Sequence, residues 1–151
     1  MKNVEIIFLM FMIYSFLGWI VDIVGHFLSK KQIVNRGFFI GPYCPIYGFG
    51  ALFITFFLHL IPVQNYLFVF ISCILICSFL EYMTSYVLEK LFHARWWDYS
   101  NEMFNINGRI CLKTMIPFGL LGILIFYVTN PFFLYFLSQI SENILTIICV
   151  V

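Results

Sequence analysis

The stretch "EIIFLMFMIYSFLGWIVDIVGHFL", residues 5–28, decides the fold of this chain. After Glu5, its only acidic or basic side chains are Asp22 and His26. A membrane crossing needs about 20 consecutive apolar residues. This run supplies them, and "SKKQIVNRGF" at 29–38 ends it. The remainder has the same character: 63% of the 151 residues are hydrophobic, 10% are charged and 20 are phenylalanine. Soluble domains carry about a quarter charged residues, so the solvent this chain is written for is a lipid bilayer. A formal net charge of +1 gives no sign of a nucleic-acid partner.

Further apolar runs predict spans at 38–61, 66–88 and 110–128, closed by "PVQN" at 62–65 and "TNP" at 129–131. A polar stretch from Phe92 to Arg109 separates the third span from the fourth. After it, "PFFLYFLSQISEN" (131–143) reads as an amphipathic segment lying in the interface. "ILTIICVV" (144–151) begins another apolar run and stops, which points to a truncated fifth span. The predicted fold class is an all-α integral membrane protein with a single transmembrane domain over 1–151. It is a compact bundle of four full transmembrane helices, an interfacial helix and that partial span.

Orientation follows from the cations. Of the 8 Lys and Arg residues, all but Lys2 fall after spans one and three: Lys30, Lys31, Arg36, Lys90, Arg95, Arg109 and Lys113. The positive-inside rule therefore places loops 29–37 and 90–109 in the cytoplasm and the N-terminus outside. The N-terminus lacks the cleavage site of a signal peptide. The 5 cysteines (Cys44, Cys73, Cys77, Cys111, Cys149) show no zinc spacing and read as packing residues. No cofactor or metal is indicated. A phosphate-binding Gly-rich loop followed by Lys-Ser or Lys-Thr is absent, so the chain is not itself a P-loop ATPase.

Ionisable residues inside spans are costly and usually face a bundle interior or a water-filled cavity. Asp22 on the first span and Glu81 on the third lie at the depth of the cytoplasmic half, and Arg36 and Arg109 enter the following spans from that side. Two readings compete: a structural ion-pair network, or a substrate site that keeps some charge for a ligand. His26 and Glu89, near the ends of their spans, are expected to snorkel to water. "NRGFFIGPYCPIYGFG" (35–50) carries glycines and prolines that do not suit an uninterrupted helix. It predicts that helix two is broken near its cytoplasmic end, with Asn35, Tyr43 and Tyr47 lining a cavity, or simply that this helix starts late.

"HARWWDYS" (93–100) crowds two tryptophans, a tyrosine, an arginine, an aspartate and a histidine into eight positions. Trp96, Trp97 and Tyr99 suit the headgroup layer. Asp98, Asn105 and the "NGR" turn at 107–109 ask for more, and predict an interfacial cap over the charged cluster. Asp98 is expected to accept amides of the returning turn or to pair with Arg95 or Arg109.

Together "YSFLGWIVD" (14–22), "NRGFFIGPYCPIYGFG" (35–50), Glu81 and Glu89 ahead of "FHARWWDYS" (92–100), and "FNINGRICL" (104–112) resemble the ABC-transporter type IV family of small bacterial membrane proteins, described as permeases. The likeness covers about residues 14–131. Asp22 departs from it, since the family pattern leads one to expect glutamate there. The resemblance implies transport, a separate ATPase subunit or a homo-oligomer, and a chain that continues past Val151. From the residues alone three functions stand: a transporter component with a charged cavity in the cytoplasmic half of the membrane, a membrane-embedded enzyme acting on a lipid headgroup or phosphate-bearing substrate, and a non-catalytic scaffold. No nucleophile–base pair is visible, which weighs against the enzyme.

Overall fold

The computed structural model describes residues 2–35, 37–38, 41–61 and 65–150. Its regular elements are helical: α1 (Lys2–Lys30), α2 (Pro45–His59), α3 (Tyr66–Phe92), α4 (Leu112–Leu124), a π turn (Ile125–Thr129), α5 (Asn130–Gln139) and α6 (Glu142–Val150). An isolated β-bridge joins Ile106 to Ile110. Three helices, Lys2–Leu28, Tyr66–Phe92 and Leu112–Gln139, are long and apolar enough to cross a membrane, with mean hydropathies of 2.2, 2.1 and 1.9.

Local chemistry sets the helix ends. Asn65 caps α3, its Oδ1 accepting from the Leu67 amide at 2.9 Å. His93 closes the same helix in the left-handed region at φ 54°, its amide reaching the Glu89 carbonyl. Lys31 ends α1 in the same conformation, at φ 56°. The third helix therefore runs one turn past the expected Leu88, carrying Glu89 and Lys90 with it.

Two expected boundaries move. The second helix does not fill 38–61: it begins at Pro45 and spans 15 residues, roughly 22 Å at 1.5 Å per residue, against a hydrocarbon core of about 30 Å. Proline suits a first helical position because its missing amide would have no partner there. The expected break is thus a late start. The fourth helix also does not stop at "TNP": Leu112–Gln139 is continuous through the π turn. A proline clashes with the carbonyl four residues before it, here Tyr127. Tyr127 lies inside the π turn, whose wider ladder moves that carbonyl out of the α position. So residues 131–139, expected in a separate interfacial helix, extend the fourth helix, and 142–150 form α6 alone.

The chain divides into two compact units, Met1–Leu52 with Asn130–Val151, and Phe53–Thr129. In the first, α1 packs on α5 and α6. The buried Tyr14 hydroxyl donates to Asn130 Oδ1 at 2.7 Å, and the Thr146 hydroxyl donates to Glu5 Oε1 at 2.6 Å. In the second, α3 packs along α4, and the core is Ile54, Leu58, Val69 and Cys73. Gly119 and Gly122 let the two helices approach: a Cβ on Gly122 would lie 2.5 Å from the Cys73 Cβ. Small residues at such contacts are a standard route to close helix packing in lipid. All five cysteines are free thiols.

Candidate functional site

The expected site residues fall in both units, and each group has its own neighbours. Arg36 lies outside the described residues. In the first unit Asp22 is half-buried on α1. The Tyr47 hydroxyl donates to its Oδ1 at 2.6 Å, and the Cys44 thiol faces its Oδ2 at 3.8 Å. Pro45 starts α2, so Cys44 and Tyr47 straddle the helix start. The Cys44 amide donates to the Ser15 carbonyl of α1 at 2.9 Å, fixing that start beside Asp22. Asn35 accepts from the Trp19 indole at 2.8 Å and from the Gly37 amide at 3.0 Å. The Tyr43 ring lies over Gly41. Asp22, Tyr47 and Asn35 are thus all engaged in polar contacts at the entry to helix two.

In the second unit the buried stripe of α3 is Val69, Cys73, Ser78, Glu81, Ser85 and Leu88. This spacing keeps one face of the helix turned inward. Glu81 is 4% exposed. Its Oε1 accepts from the Tyr99 hydroxyl at 3.0 Å and its Oε2 from the Thr114 hydroxyl at 3.4 Å. Arg109, 8% exposed, meets α3 one turn further on. Its guanidinium donates to Ser85 Oγ at 3.1 Å, forms an ion pair with Glu89 Oε2, and lies over the rings of Tyr82 and Tyr86. Such a site suits arginine, whose planar fork can stack and pair at once. The other oxygen of Glu89 takes Arg95 Nε at 3.0 Å. Glu89, expected to turn to water, stays about a third exposed and is also the carboxylate that two arginines share.

Residues 93–111 form an ordered cap. The Trp97 indole donates to the Arg109 carbonyl at 3.0 Å, and the Tyr99 amide donates to the Gly108 carbonyl at 2.7 Å. Asn105 staples the turn through its Nδ2 to the Ser100 and Glu102 carbonyls and its Oδ1 to the Gly108 amide. Asn107 Nδ2 donates to the Tyr82 hydroxyl at 2.9 Å. Trp96 is exposed and packs edge-on against Phe92. Asp98 pairs with Arg95 at 3.7 Å and takes the amide and hydroxyl of Ser100, not amides of the "NINGR" turn. Those Ser100 bonds, then the Arg95 charge, hold its carboxyl below the usual value of 3.8.

The cap and the polar stripe are therefore one constellation, with Tyr99, Asn107 and Arg109 bound to Glu81, Tyr82 and Ser85. Sequence reasoning missed Tyr82, Tyr86 and Thr114. The tyrosines stand one helical turn apart, ahead of Glu89, and that spacing was the available signal. Thr114 had none, because its role depends on how α4 meets α3.

Comparison with curated proteins and with solved structures returns no match. Residues 9–151, by contrast, match the model of the family described as "Putative ABC-transporter type IV", and that model takes in both groups of site residues. With its three membrane-length apolar helices and this match over most of its length, the chain belongs to the ABC-transporter type IV family.

Proposed function

We propose that this chain is the membrane-spanning component of a transporter, driven by ATP hydrolysis in a separate subunit. In this reading the N-terminus is outside and loops 29–37 and 90–109 are cytoplasmic. Helices α1 to α3 and the Leu112–Gln139 helix supply the four crossings, the second a short one. In the second unit the polar groups around Glu81 and Arg109 face the solute in the cytoplasmic half; in the first unit those around Asp22 and Tyr47 do so. The cap carrying Trp96, Trp97, Asp98, Tyr99 and Asn105 covers the Glu81 group, and Asn35 and Tyr43 flank the Asp22 group.

One observation carries the reading. Glu81 is a buried acid within a span that takes hydroxyl donors from the cap and from α4. Hydroxyls rotate freely and can be exchanged for donors on a passing solute.

The test is isolation from native membranes in mild detergent, followed by reconstitution into liposomes. The expected outcome is a nucleotide-hydrolysing partner whose ATP turnover depends on this chain. Glu81→Gln should reduce that turnover more than Glu89→Gln, whereas Glu89→Gln should act mainly on thermal stability. Full turnover in Glu81→Gln, or no ATPase in the purified complex, overturns the proposal.

A further inference from the structure

The cap has a feature that neither the polar site nor the transport reading uses. Three of its apolar side chains within four positions are turned out of the protein: Met103 is 77% exposed, Phe104 72% and Ile106 52%. They are not on a loose loop. Phe104 sits at φ 53°, a conformation L-residues avoid. The segment carrying them is pinned on both sides, by Tyr99 to Glu81 and by Asn107 to Tyr82. Glu102, next to Met103, pairs with Lys113 in the first turn of α4 at 2.8 Å.

These ties fix the depth of the tip. Glu81 and Tyr82 lie about three turns before the end of α3, roughly 16 Å at 1.5 Å per residue. Lys113 belongs to the opening turn of Leu112–Gln139, whose Leu112 and Ile116 are themselves exposed. The tip is therefore held level with the start of one membrane-length helix and alongside the body of another. An apolar side chain at that level meets the boundary between headgroups and acyl chains. Two cations tied to the same loop, Arg95 through the Asn107 carbonyl and Lys113 through Glu102, suit anionic headgroups there.

We infer that Met103, Phe104 and Ile106 form a wedge inserted into the lipid interface, so that the cap over Glu81 is anchored in the bilayer as well as in the protein. The occupant of this surface is lipid. A soluble partner would need the tip to project clear of the membrane, and its ties to Glu81, Tyr82 and Lys113 hold it back.

The experiment replaces one side chain at a time with a photoreactive ring, as Phe104→p-benzoylphenylalanine and Met103→p-benzoylphenylalanine. Asn101→p-benzoylphenylalanine is the control on the exposed polar part of the same loop. The full chain is irradiated in nanodiscs of mixed phosphatidylcholine and phosphatidylglycerol, then in native membranes, and adducts are read by mass spectrometry. The expected result is lipid adducts at 103 and 104 in yields several-fold above those at 101, in both settings. Equal, low yields at all three positions mean a tip in water and overturn the inference. Protein adducts displacing lipid adducts at 104 in native membranes overturn it in favour of a docking knob. Both substituted side chains are largely exposed, so folding is not at stake, and an unchanged elution volume for each variant verifies this.

Discussion

Adding one methyl group at Gly122 tests the closest helix contact of the second unit. A Cβ there would stand 2.5 Å from both Cβ and Sγ of Cys73, where ordinary contact begins at 3.4 Å. The shortfall is about 1 Å, and a Cβ cannot rotate away, so α4 must move off α3. Overpacking of this kind costs roughly 1–3 kcal/mol. Replacing glycine inside a helix returns up to about 1 kcal/mol of backbone entropy. Gly122→Ala should therefore destabilise by roughly 1–2 kcal/mol net, or a fall of several degrees in Tm at about 2–4 °C per kcal/mol. Gly119→Ala is the comparison. Its new Cβ would meet Ile74 Cγ1 and the Phe70 ring at 2.6 Å, parts of side chains that can turn aside, so the fall should be smaller. Melting in detergent, followed by loss of the monodisperse elution peak, measures both. Cys73→Gly combined with Gly122→Ala should recover part of the loss, because the obstructing atoms are gone. A Gly122→Ala protein at least as stable as the parent would refute the reasoning, since the helices could not then be so close.

Three further outcomes are expected. A single cysteine at residue 100 in a cysteine-free background should resist an impermeant thiol reagent applied outside intact cells; labelling there would reverse the orientation drawn from the cation count. Trp96→Phe should be nearly neutral because its ring packing on Phe92 is kept, whereas Trp97→Phe loses the indole bond to the Arg109 carbonyl, about 1 kcal/mol, and thermal melts that rank the two the other way would contradict this. Asp98→Asn keeps an oxygen for Ser100 but loses the Arg95 charge, so amide exchange across 99–108 should quicken at neutral pH. Because the Asp98 carboxyl is held below its ordinary 3.8, its contribution is fully present above about pH 4 and is lost only as pH falls through that lower folded value; protection of 99–108 already lost near pH 5 would speak against it.

The long helices were legible because lipid exposure needs no pattern, only length. Runs at 5–28 and 66–88 became Lys2–Lys30 and Tyr66–Phe92. The late start of the second helix was readable in Pro45. The misreading at "TNP" came from treating Pro131 as a stop, when the π turn over Ile125–Thr129 absorbs it. In the site, the face carrying Glu81 and Ser85 followed from helical spacing. The pairing of Arg109 with Glu89 did not, because it depends on where a loop folds back along α3. Polar composition announces such a loop without saying how far it descends.

The bond pattern of the two units sets an order of assembly. In the second unit the ties are short in sequence: Tyr99 to Glu81 spans 18 residues and Arg109 to Ser85 spans 24. This unit can close as soon as Thr129 has left the ribosome. The first unit closes early only in part, through Tyr47 and Asp22 across 25 residues, and its remaining ties must wait. Tyr14 meets Asn130 across 116 residues, and Glu5 meets Thr146 across 141. Until those late residues arrive, α1 is in the bilayer with Glu5 and Tyr14 lacking these partners, at an energetic cost lipid does not relieve. The first helix to be made is thus the last to be satisfied. During synthesis it is the segment most in need of a holding factor, and the one whose loss to degradation should respond most to shortening the chain after residue 129.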